Sequence, residues 1–135
     1  MYGLPVQTET AVVKPSGSSE VLSDQSCTKT SYVHNTSAWL IGLSKEERST
    51  GTSCAGYDAA DPATKLVRAV RNSYDDLAYG ATPTKGLVTG AAGVDGAGTS
   101  YSLETKTTYD PLGRVRTISK PGAGTTETQY TVLMD

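Results

Sequence analysis

Tyr109-Asp110-Pro111-Leu112-Gly113-Arg114-Val115-Arg116-Thr117-Ile118-Ser119-Lys120-Pro121-Gly122-Ala123-Gly124-Thr125-Thr126-Glu127-Thr128-Gln129-Tyr130 is the stretch that decides the fold. Its first six residues have turn chemistry. Asp110 can accept a hydrogen bond from the backbone two residues on. Pro111 presets φ for the second turn position, and Gly113 can take the positive φ that closes such a turn. Upstream, Thr105, Thr107 and Tyr109 fall on one side of a strand at period two. Downstream, Val115 to Ile118 is β-prone and ends at a second turn, Pro121-Gly122-Ala123-Gly124. Thr126, Thr128, Tyr130 and Val132 share one side of a further strand. The unit reads strand, turn, strand, turn, strand. Val115 and Ile118 have opposite parity, so both face one core only across an irregularity such as a β-bulge. Otherwise one of them faces a second layer or solvent. A lone hairpin is marginal in water, so the unit needs neighbours.

Tyr-Asp-x-x-Gly-Arg, followed by a Pro-Gly turn and a second tyrosine, resembles the RHS or tyrosine-aspartate (YD) repeat family. Tyr109, Asp110, Gly113 and Arg114 match its motif residue by residue, and Tyr130 stands at the family's repeat spacing. A weaker likeness covers 74–86, where Tyr74-Asp75, Tyr79-Gly80 and Pro83-Thr84-Lys85-Gly86 follow one another. Trp39-Leu40-Ile41-Gly42 is similar to a segment that precedes strands in bacterial members. After Tyr130 the chain departs from the pattern, for Thr131 to Asp135 offer no further Tyr-Asp. The resemblance implies an all-β fold of irregular antiparallel β-hairpin repeats, a fragment of a shell-like sheet. In such shells Tyr109 and Tyr130 would pack between adjacent strands or hairpins, Asp110 would cap the turn, and Arg114 would pair across strands. The function implied is mechanical and non-catalytic: a wall segment that encapsulates or presents cargo such as a toxin domain. Its partners would be neighbouring YD repeats of a larger parent, or further copies joined through strand edges. As part of a parent the segment would be secreted or at the cell surface; as a complete product it would be cytoplasmic. Two other readings stand beside this one. A cell-surface or carbohydrate-binding module would use exposed aromatics and polar loops, and a truncated remnant would have no independent function.

Composition sets the bounds. At 135 residues the chain allows one domain with a modest core. It holds 20 Thr, 14 Ser and 14 Gly with no Phe, which favours strands and turns over helices. A formal net charge of −2 gives no basis for nucleic-acid steering or for charge-driven disorder. No run of apolar residues suits membrane insertion, and Met1-Tyr2-Gly3-Leu4-Pro5 lacks the basic start and apolar core of a signal peptide.

Within a single segment spanning 1–135, four regions stand out. Before them, Val6 to Val13 reads as a strand, with Val6, Thr8, Thr10 and Val12 on one side. Lys14 to Ser19 interrupts it as a turn, giving two antiparallel strands around Pro15-Ser16-Gly17; Glu20 to Ser23 is too brief to assign. The cysteine-bounded region 27–54 holds the only two cysteines, Cys27 and Cys54, as either a disulfide or two free thiols. With His34 as sole histidine, no zinc site is expected. Between the cysteines, Thr30 to His34 is a strand and Asn35-Thr36-Ser37 a turn and formal glycan acceptor. Ala38 to Leu43 is the most apolar run, expected largely buried. Trp39 is assigned to the core, with a sugar platform or binding hot spot as its functional alternative. Lys45 to Arg48 is a solvated strand or loop, or a short capped helix.

Region 55–86 is a degenerate YD-like stretch. Tyr57-Asp58 lacks the following glycine, and Lys65 to Arg71 suits a strand better than a helix. Leu87 to Thr89 is a short strand, and region 90–99 is a flexible Gly/Ala loop leading to region 100–135, the best-defined repeat. The glycines of that loop and Lys85-Gly86 lack the frame of a nucleotide or phosphate site. No cofactor or metal is expected. Asp58, Asp61, Asp75, Asp76 and Asp110 could supply a carboxylate pair for glycoside hydrolysis, but three belong to Tyr-Asp turns where backbone capping explains them. Nothing positions His34 beside a nucleophile. The expectation is no catalytic residue.

Overall fold

The computed structural model describes residues 2–17, 19–59, 65–95, 98 and 100–130. These residues form eight strands: β1 (Gln7–Ser16), β2 (Ser19–Asn35), β3 (Leu40–Thr50), β4 (Leu66–Tyr74), β5 (Val88–Val94), β6 (Tyr101–Tyr109), β7 (Val115–Lys120) and β8 (Gly124–Glu127). Each pairs antiparallel with the next in one sheet of order β1 to β8, and the sheet is not closed into a barrel. The fold is therefore an irregular antiparallel all-β sheet. A 3-10 turn, Cys54–Ala59, follows β3. No helix among the described residues is long and apolar enough to cross a membrane.

Six of the seven strand pairs carry a register shift, and only β7–β8 runs without one. Each shift inserts an extra residue and adds local twist. One of them resolves the parity conflict in β7. Thr108 pairs with Thr117 but Tyr109 pairs with Val115, so Arg116 is the extra residue. Val115 and Ile118 thereby reach the same side of the sheet.

The core is thin. Among the described residues Cys27, Ala69 and Tyr74 are its buried apolar side chains, and Pro83, in the loop between β4 and β5, is fully buried. Cys27 is joined to Cys54 by a disulfide with Cα atoms 4.9 Å apart, which resolves the pair as bonded. The bridge ties the 3-10 turn to β2. Lys29 reinforces it, with Nζ 2.9 Å from the Asp58 carboxylate and 4.1 Å from the Tyr57 ring centre.

Three expectations are corrected. Trp39 is not a core residue: it is 86% exposed at the tip of the β2–β3 turn, with φ of 56°. The apolar run around it enters the sheet only from Leu40 onward, because Thr36 to Trp39 are spent on closing the hairpin. Region 90–99 is not all loop, since Gly90 to Val94 lie in β5. Lys45 to Arg48 form a strand, as one of the expected alternatives had it, but they lie half-buried within β3 and not on a solvated face. The small residues of β5 have a packing reason. A Cβ on Gly90 would sit 2.7 Å from Oε1 of Glu104, whose side chain lies across the strand. Asp61, Gly96, Thr99 and Thr131 to Asp135 lie outside the described residues.

Candidate functional site

The even strands β2, β4 and β6 all run toward one end of the sheet, and tyrosines near their ends form a ladder. Tyr32, Tyr74 and Tyr109 pair with Ser44, Val88 and Val115 of the following odd strands, and a register shift immediately precedes the tyrosine in each case. Those same three residues accept the hydroxyl of the next tyrosine. Tyr74 Oη donates to Ser44 O at 2.8 Å, Tyr109 Oη to Val88 O at 2.7 Å, and Tyr130 Oη to Val115 O at 3.0 Å. At the other end Tyr32 Oη donates to Pro5 O at 2.8 Å. The bulge supplies the reason: it twists a carbonyl out of the regular ladder, and the phenol satisfies it. Tyr74 is 6% exposed in the middle of the row, whereas Tyr130 at its end is 46% exposed.

Two of these tyrosines are followed by an aspartate that closes the adjoining loop. In the turn between β6 and β7, the Asp110 carboxylate accepts backbone N–H groups of Leu112 and Arg114, each at 2.9 Å. Gly113 has φ of 78°, and Arg114 Nε turns back to Asp110 Oδ2 at 2.7 Å. The charged pairing of Arg114 is thus within its own turn, because the turn brings residue i+4 beside the carboxylate. Its contact across strands is aromatic, with the guanidinium 4.1 Å from the Tyr130 ring centre. These bonds, led by the backbone N–H of Arg114, lower the pKa of Asp110.

Asp75 does the same for a longer loop. Its N–H donates to Leu87 O at 2.8 Å, and its carboxylate accepts backbone N–H groups of Thr84, Lys85, Gly86 and Leu87 at 2.7 to 3.1 Å. Burial opposes the charge, but the four N–H groups outweigh it and hold the carboxyl at about 2. The loop so fastened reaches back over the previous hairpin. Asn35 Nδ2, the atom a glycan would need, donates to Pro83 O at 2.8 Å, and Gly86 packs against Leu40 and Leu43. His34 Nδ1 accepts the N–H of Gly42 at 2.9 Å.

A second constellation lies on the sheet face where Glu46, Arg71, Ala92 and Glu104 pair in one cross-strand row. Glu46 accepts the hydroxyls of Tyr101 at 2.6 Å and Tyr79 at 2.9 Å, and Arg71 Nε lies 3.5 Å from it. The Arg71 guanidinium is held between the two rings, 3.9 Å from the centre of Tyr101 and 4.7 Å from that of Tyr79. Burial raises the pKa of Glu46, but the two hydroxyls and Arg71 lower it further, and the net shift is downward. Burial and the Glu46 charge push both phenols up. Next to this cluster opens a cleft of about 530 Å³.

Tyr109, Asp110, Gly113, Arg114 and Tyr130 are thus brought together in one corner. Sequence reasoning placed Tyr32 in a strand and Tyr74 in a weaker Tyr-Asp element without joining them to Tyr109 and Tyr130, since the tyrosine intervals vary with loop length. The Glu46–Arg71–Tyr79–Tyr101 cluster had no sequence signal, as Glu46 and Tyr101 are 55 residues apart. Among the described residues no three His, Cys, Asp or Glu side chains gather as a metal site. No family model, curated protein or solved structure matches this chain.

Proposed function

We propose that this chain is a non-catalytic wall segment of a larger β-sheet shell of the RHS/YD-repeat kind, which encloses or presents a cargo such as a toxin domain. The observation that carries the reading is the tyrosine ladder. Each rung uses a carbonyl freed at the register of the rung before it, so the pattern extends by adding hairpins and needs no closing element. A row of strands whose outer edges, at β1 and β8, pair with no further strand among the described residues is compatible with such growth. Neighbouring repeats, or further copies of this chain, would continue the sheet at those edges.

The test is a thermal melt followed by far-UV circular dichroism over a range of protein concentrations, with mass measured by light scattering. A wall segment gains order and melting temperature as it associates. A monomer with a cooperative β-type transition that ignores concentration overturns the reading.

A further inference from the structure

The cleft beside the Glu46–Arg71 cluster is a built site, and we propose that it binds an uncharged sugar ring of a glycan. Its floor is the small-residue strand β5, where Gly90 is buried and Ala92 leaves room between the long side chains of β4 and β6. The volume of about 530 Å³ lies within the range of small-ligand sites.

Its lining carries both signs, Arg71 and Lys106 beside Asp76 and Glu104, and the Arg71 charge is already met by Glu46 at 3.5 Å. A charged ligand gains nothing from such a wall, but a polyol does: carboxylates accept its hydroxyls and an ammonium donates to them. Of these four charged residues, Asp76 is the one outside an ion pair among the described residues. Its N–H donates to Thr89 Oγ1 at 2.8 Å, while its carboxylate has no partner among the described residues. The residue holds φ of 59°, a conformation sparsely used by side chains other than glycine and asparagine-like ones. Tyr79 and Tyr101 line the cleft, and the ring surface that Arg71 does not cover can meet the C–H groups of the sugar, their hydroxyl hydrogens already given to Glu46.

The experiment is a titration of the isotopically labelled chain with the methyl glycosides of glucose, galactose, mannose and N-acetylglucosamine, read by amide chemical shifts. For at least one sugar, shifts cluster at residues 76–79, 89–92 and 102–106. Asp76→Asn keeps the backbone conformation and weakens that binding at least about fivefold, as loss of a charged hydrogen-bond partner does. Lys14→Ala, remote from the cleft, leaves it unchanged. Absence of localised shifts for all four sugars up to their solubility limit overturns the proposal, as does binding that Asp76→Asn leaves intact.

Discussion

Tyr74-Asp75 and Tyr109-Asp110 perform one task at two lengths. Asp110 N–H reaches Arg114 O across a tight turn, and Asp75 N–H reaches Leu87 O across a loop three times as long in sequence. The short turn is pre-shaped by Pro111 and Gly113, and its aspartate needs to hold only two backbone N–H groups. The long loop has Pro83 and two glycines at positive φ, Gly80 and Gly86, spread over many more residues, and its aspartate holds four. Capping thus scales with the conformational entropy the loop must give up. The segment that looks weaker as a motif carries the heavier structural duty.

The sharpest test of that contrast is Asp75→Ala. It leaves four N–H groups without their acceptor and releases the loop from the β2–β3 turn, with an expected loss of about 3 kcal/mol by denaturant unfolding. An effect equal to that of Asp110→Ala would break the comparison. Gly113→Val comes next, at roughly 1–2 kcal/mol, since a β-branched residue must hold φ of 78° there. An unchanged melting temperature would show that the turn can close another way. Tyr74→Phe and Tyr109→Phe are smaller, each about 1 kcal/mol. Tyr74→Phe is the milder of the two, because Ser44 O keeps a bond from Asn72 Nδ2 at 2.9 Å.

The pH dependence follows from Asp75. Its carboxyl is held at about 2, below the ordinary 3.8, so the folded state favours the ionised form. That stability is complete above the ordinary value and is lost as pH falls toward about 2. Melting temperatures measured between those limits should fall with acid in the parent and fall less in Asp75→Asn.

The all-β class and most strands were legible because period two and turn residues are local signals. The Val115–Ile118 parity conflict announced a bulge, and a bulge stands there. Gly90 to Val94 read as loop because glycine and alanine carry no strand propensity, yet Gly90 is bare because the Glu104 side chain lies over it. Trp39 read as core because a large apolar side chain is normally spent on burial. Its position is set by the turn, whose geometry depends on where β3 begins. The ladder escaped notice since register shifts are not encoded at any fixed spacing.

Cys27–Cys54 has a mechanical consequence. In an open meander pulled from its two ends, strands peel away one after another, with hydrogen bonds broken in series. The disulfide interrupts that sequence, for it closes the β2–β3 hairpin into a covalent ring with a sequence separation of 27. A stretched chain would therefore come up short by about 90 Å of contour until reductant is added. Force entering through β1 would travel along the bridge into the 3-10 turn and bypass the β2–β3 hairpin altogether.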